Sequence, residues 1–328
     1  MRTNLFTRFT AMLAFAIMPF ISSCSNDDDS TTTEKNMTIA EVATSNSELS
    51  ILVEALQKAD LVSVLNSPGD YTVFAPTNES FVAFLNDNGF ASLNEVPVAV
   101  LKDVLLNHVI SKKLEAADLA TGYVNTLAKG TAATTNNISM YVDTTNGVVL
   151  NGGAANNGAT VTTPNIKASN GVIHLVDHVI SLPTLVNHAI ANPNFSILVS
   201  ALTREDQPNF VEILSGTTAA PFTVFAPTND AFVNLLAELK LSALSDVPQN
   251  VLENTLKYHV VAGANVLSSD LSNGLVVGTF QGDSLTINLT TTASITDTAN
   301  RISNIIAVDV QASNGVIHAI DKVILPNL

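Results

Sequence analysis

Tyr71-Thr72-Val73-Phe74-Ala75-Pro76-Thr77-Asn78-Glu79-Ser80-Phe81 returns 151 residues later as Phe222-Thr223-Val224-Phe225-Ala226-Pro227-Thr228-Asn229-Asp230-Ala231-Phe232. Each stretch reads as a β-branched and aromatic run stopped by proline, then a Thr-Asn pair suited to open a helix. A second block, Ala168-Ser169-Asn170-Gly171-Val172-Ile173-His174, recurs unchanged as Ala312-Ser313-Asn314-Gly315-Val316-Ile317-His318, at an offset of 144. His108 and His259 lie between the blocks, again 151 apart, so the second copy is seven residues shorter after its histidine. The Gly/Asn-rich stretch 151–158 is the expected place of that extra length. The chain therefore divides into two copies, 37–182 and 183–328, each of ordinary domain size. They meet near Pro183 with almost no linker, which predicts end-to-end packing.

Working outward, Leu49, Leu52, Val53 and Leu56 fall on one helical face, as do Phe195, Leu198, Val199 and Leu202. Tyr71 to Ala75 is predicted as a strand. Thr77 or Asn78 then caps a helix burying Phe81, Phe84 and Leu85, matched by Phe232, Leu235, Leu236 and Leu239. Residues 137–150 and 280–290 are rich in Thr, Val, Ile, Asn and Gly, which suits short strands and turns. Asn170-Gly171 and Asn314-Gly315 are predicted tight turns, because Gly accepts positive φ and Asn does so better than most residues. Helices first and strands second predict an α+β domain around a β-sandwich-like core.

Composition narrows function. Hydrophobic residues make up 46% and charged residues 13%, so most of the chain folds. Lys and Arg total 14 against 29 Asp and Glu, a net charge of −15 that opposes binding to nucleic acid. No Gly-x-Ser-x-Gly elbow, phosphate-binding glycine loop or zinc-ligand spacing occurs, and the residues imply neither an enzyme nor a cofactor. His174 and His178 are four apart on a predicted strand, about 13 Å between Cα atoms, too far for a zinc pair. The matched histidines sit among aliphatic residues and read as buried, neutral and hydrogen-bonded.

The N-terminal segment carries its own address. Arg2 and Arg8 precede an apolar run from Phe9 to Ile21, too short to span a bilayer but suited to a signal-peptide core. It ends in Ile21-Ser22-Ser23-Cys24, and Cys24 is the single cysteine. This resembles a bacterial lipobox, which implies a signal peptide over 1–23, lipidation at Cys24 and a membrane anchor. Residues 24–36 read as an acidic, Ser/Thr-rich tether. Asp27, Asp28 and Asp29 resemble the signal that sends lipoproteins of Bacteroidetes to the outer face of the outer membrane. A periplasm-facing outer-membrane lipoprotein is the alternative.

The Val-Phe-Ala-Pro-Thr-Asn block, the central histidine and the closing Ala-Ser-Asn-Gly-Val-Ile-His together resemble the fasciclin domain, twice over. The resemblance implies tandem fasciclin-like domains, each a wedge-shaped β-sandwich core flanked by helices. It also implies adhesion, with an extracellular matrix, glycan or surface-protein partner. A Tyr-His pair among aliphatic residues binds cell receptors in some family members. Tyr258-His259 matches it, while Asn107 replaces the tyrosine beside His108. An Asp-Ile pair before the closing block is another adhesive motif of the family, approximated by Asp309-Val310. Capture of a glycan or small ligand for an uptake system is the competing reading. The lack of Trp, and a total of four Tyr, count against it.

Overall fold

The computed structural model describes residues 36–290 and 292–327. The first repeat runs α1 (Ile39–Ser45), α2 (Ser50–Lys58), α3 (Val62–Asn66), β1 (Tyr71–Pro76), α4 (Asn78–Asp87), α5 (Val98–Asn107), β2 (Val109–Ile110), β3 (Gly122–Lys129), β4 (Asn137–Asp143), β5 (Val149–Leu150), β6 (Ala159–Ala168) and β7 (Gly171–Val176). The second runs α6 (Leu185–Ala191), α7 (Ser196–Leu202), α8 (Phe210–Ser215), β8 (Phe222–Pro227), α9 (Asn229–Glu238), α10 (Gln249–Tyr258), β9 (Val260–Ala262), β10 (Val276–Gly278), β11 (Ser284–Leu289), β12 (Ala293–Thr296), β13 (Ile302–Ala312) and β14 (Gly315–Ile320). Thr77 and Thr228 cap α4 and α9 by accepting the N–H of Ser80 and Ala231.

Each repeat holds one seven-stranded sheet, ordered β2-β1-β7-β6-β5-β4-β3 and β10-β11-β12-β13-β14-β8-β9. The signature strands β1 and β8 lie inside, parallel to β7 and β14. Long β6 and β13 carry register shifts, and there the sheet bends back on itself. Alternate residues therefore enter two cores. Val73, Ala75 and Ile173 meet Leu52, Leu56, Phe81 and Leu101 from the helices. Phe74 and Val176 meet Met140, Val142 and Leu150 from the other half of the sheet. Burial on both faces explains why the signature reads as an unbroken apolar run rather than an alternating one. Leu239 departs from expectation: it caps α9 at its C-terminal end and is 43% exposed, one turn beyond the buried stripe.

The Asn-Gly turns are built for a different reason than φ alone. Asn170 is a buried clamp: Oδ1 accepts from Ile39 N–H at 2.9 Å, and Nδ2 donates to the carbonyls of Leu65 and Ser67 at 2.8 and 2.9 Å. Asn314 does the same for Leu185 and Leu214. One amide thus ties the start of one helix and the end of another to the turn between two strands. Asn170→Ala leaves two buried backbone groups and one half-buried one unpaired and is expected to cost about 3 kcal/mol, read as a lowered urea midpoint.

The seven extra residues of the first repeat are distributed differently from expectation. Asn125 pairs with Ser139, 14 positions on, whereas the counterpart pair Val276 and Thr286 is 10 apart. Four of the seven therefore lie in the β3–β4 hairpin. Its tip reaches the second repeat, where Ala132 N–H and Thr131 Oγ1 both donate to the Ser313 carbonyl at 3.2 Å. The Gly/Asn loop at 151–158 makes a second tie, with Asn156 Nδ2 donating to the Asn187 carbonyl at 2.8 Å and Asn187 Nδ2 returning to Asn156 Oδ1 at 3.0 Å. A third runs from Gln311 N–H to Ser139 Oγ at 3.0 Å. Gln311 is buried there, while its first-repeat counterpart Lys167 is exposed.

Candidate interaction surface

Among the residues expected to contact a partner, most are interior. Tyr258 ends α10 fully buried, and its hydroxyl donates to the Ser284 carbonyl at 2.9 Å. Burial, followed by the nearby Asp297 charge, pushes the phenol up to about 12. His259 caps the same helix. Its Nδ1 donates to the Thr255 carbonyl at 2.7 Å, and its Nε2 accepts from Ile324 N–H at 3.1 Å. His108 repeats this with Val104 and Ile180 at 2.7 and 2.9 Å. The network sets one neutral tautomer in both, and burial pushes each imidazole down to about 4. Val310 belongs to the core of the second repeat.

Asp309 sits at φ 60°, and its carboxylate accepts from the N–H and the hydroxyl of Ser268. Asn165, its counterpart, holds Ala116 N–H in the same way at 2.8 Å. The motif positions thus pin the connection after β2 and β9 to the sheet. Direct partner contact by Tyr258, His259, His108 and Val310 is corrected by their burial, since a packed side chain cannot reach outward without breaking its own hydrogen bonds. Cys24, Asp27, Asp28 and Asp29 lie outside the described residues.

The second repeat does expose an apolar stretch. Ile302, Ile306 and Val308 on β13 are 55%, 56% and 44% exposed. Register shifts at Ile305/Ala307 and Ala307/Val310 flank this segment, and Ala307 between Ile306 and Val308 is exposed as well. The first repeat carries Thr162-Thr163-Pro164 where the second has Ile306-Ala307-Val308. That contrast between copies was a legible signal for an interaction surface.

Beside this ridge opens a cleft of about 270 Å³ between the repeats, lined by Tyr123 and Tyr141 from one and by Asn192, Asn194, Ile306 and Ala307 from the other. The tyrosine rings meet edge to face at 5.0 Å, and Tyr123 also meets His188 at 5.5 Å. His188 is fully buried at the junction and pushed down to about 4 by desolvation. Among the described residues no cluster of three or more His, Cys, Asp or Glu is placed to hold a metal, and no helix is long and apolar enough to cross a membrane.

The family model for the fasciclin domain matches residues 47–183 and 193–326. The chain belongs to the fasciclin family. Protein sll1483 of Synechocystis is 37% identical over 187 residues, 53% of this chain and 94% of that protein. Human periostin is 29% identical over 268 residues, 80% of this chain but 29% of periostin, so the fasciclin pair spans under a third of that relative. The fold is that of a FAS1 domain pair from the insect cell adhesion molecule Fasciclin I, at a TM-score of 0.53 and 21% identity, covering 86% of this chain and 98% of that one. The tandem α+β fasciclin architecture expected from the repeats is thereby established.

Proposed function

We propose that this fasciclin pair is an adhesion or interaction protein of a bacterial surface, anchored by lipid at Cys24 and exported through Asp27, Asp28 and Asp29. Its partner is an extracellular matrix, glycan or surface-protein component. The apolar ridge of Ile302, Ile306 and Val308, on one strand of a chain with a net charge of −15, is the observation that carries this reading: exposed apolar clusters mark contact sites. Membership of a family that includes a named cell adhesion molecule supports it. The ties between the repeats support it too, since a braced pair presents two domains in one fixed geometry at little ordering cost.

Protease shaving of intact cells tests the address. Both domains are expected to disappear from wild-type cells and to persist when Asp27, Asp28 and Asp29 are changed to Ala; protection in wild-type cells would place the chain in the periplasm. Attachment of cells to matrix-coated surfaces tests the ridge. The double variant Ile302→Asp, Val308→Asp is expected to fold normally and attach several-fold less well, whereas unchanged attachment would move the contact elsewhere.

A further inference from the structure

We infer that the cleft between the repeats binds a neutral, polyhydroxylated ligand, a sugar ring, which names a ligand class for the interaction function proposed above and rests on that reading. The site is built from both repeats. Tyr141 is only 4% exposed, yet its hydroxyl has no hydrogen-bond partner among the described residues, and it lines the cleft. The ring is packed while the hydroxyl stays accessible, so it is free to exchange a hydrogen bond with a ligand. The Tyr123 hydroxyl accepts from Asn192 Nδ2 at 3.3 Å, which leaves its own proton uncommitted. Asn194 adds an exposed amide whose side chain bonds to no described residue. Opposite these groups, Ile306 and Ala307 supply an apolar wall.

The pattern matches a sugar, which offers C–H faces to apolar and aromatic surface and hydroxyls to phenols and amides. None of the lining residues carries a charge, and the molecule as a whole bears −15, so an anionic sugar would find no counter-charge and meet repulsion. At about 270 Å³ the space lies just under the range of about 300–1,000 Å³ typical of drug-sized ligands, which suits one ring. Because Thr162 and Thr163 stand where Ile306 and Ala307 supply the wall, the apolar half of the site belongs to the second repeat.

Saturation-transfer NMR on the full chain, held in a non-sugar detergent, tests the assignment. The probes are methyl α-D-mannopyranoside, methyl β-D-galactopyranoside and N-acetyl-D-glucosamine, with D-glucuronate as the charged counterpart. At least one neutral probe is expected to bind saturably with a millimolar Kd. Tyr141→Phe, which removes only the hydroxyl, should weaken it about fivefold. Ala307→Trp, which fills the cleft from its exposed rim, should abolish binding with the circular dichroism spectrum unchanged. No saturable signal at about 10 mM of any neutral probe overturns the proposal. So does equal binding of glucuronate, or affinity unchanged in both variants. Cell attachment is read separately: attachment that persists in Ala307→Trp with glycoside binding lost separates the cleft from adhesion and leaves the ridge as the contact.

Discussion

Gly315→Ala is expected to cost more than about 4 kcal/mol and to lower the thermal midpoint by about 10 °C or more. A Cβ at Gly315 would lie 2.2 Å from the Phe222 carbonyl oxygen and 3.0 Å from Leu185 Cδ1. Neither neighbour can yield cheaply. Phe222 is held by its own N–H donating to the Asn314 carbonyl at 3.1 Å, and Leu185 by its N–H on Asn314 Oδ1 at 3.0 Å. Relief therefore means parting β8 from β14 in the interior of the sheet. Gly171→Ala should act alike in the first repeat, where the added atom would meet the Tyr71 carbonyl oxygen at 2.1 Å. Gly278→Ala on β10 is the control: nothing lies within 4 Å of its Cβ position, and its effect should stay within about 0.5 kcal/mol. Thermal unfolding followed by circular dichroism reads all three. An unshifted midpoint for Gly315→Ala would mean that the two strands separate more easily than their pairing implies.

Stability should fall steeply as the pH drops from about 6.5 to about 4. Burial holds His108, His188 and His259 neutral, with each imidazole pushed down to about 4. Between that value and the unperturbed 6.5 or so, the unfolded chain binds more protons than the folded one, so stability rises with pH there. The contribution is complete above about 6.5, is lost progressively toward 4, and falls no further below it. Each histidine accounts for on the order of 3 kcal/mol, and together they rival the whole stability of an ordinary domain. Protonation would also set an N–H on Nε2 of His108 and His259 against the N–H groups of Ile180 and Ile324. Urea midpoints from pH 7.5 to 4 test this. His188→Val, which copies Val42 of the first repeat, should remove less than a third of the pH dependence, because burial lowers His174 and His318 as well as His108 and His259. That substitution is mild because His188 Nδ1 has no partner among the described residues and Nε2 is 3.3 Å from the Gln311 carbonyl. A flat profile would mean these imidazoles protonate without unfolding.

The adhesive motifs illustrate where reading residues in order stops. Tyr258-His259 reads as a contact patch because it matches a receptor-binding motif of some fasciclin family members. Its position at the C-terminal end of α10 instead aims both rings between the halves of the sheet. Asp309 looks like a free charge, yet its left-handed backbone turns the carboxylate onto Ser268. The buried, neutral state of the matched histidines was legible, since aliphatic neighbours on both sides leave an imidazole little but backbone to bond. The ridge on β13 was legible only by setting the two copies side by side, where Ile-Ala-Val stands against Thr-Thr-Pro. The cleft was not legible at all, because its two halves lie in different repeats.

Sequence alone determined the architecture: two copies of one unit, each with its helices before its strands, held by two signature blocks. Those signals are local, set by side-chain period, proline and caps, and repetition doubled their strength. Tertiary structure decided which faces the repeats cover in each other, why Gly171 and Gly315 admit no Cβ, and why part of the added length belongs in the β3–β4 hairpin. These are properties of approach between segments far apart in the chain. A strand's period of two shows that it has two faces, but whether a face meets solvent, a helix or the neighbouring repeat depends on what the rest of the chain brings to it.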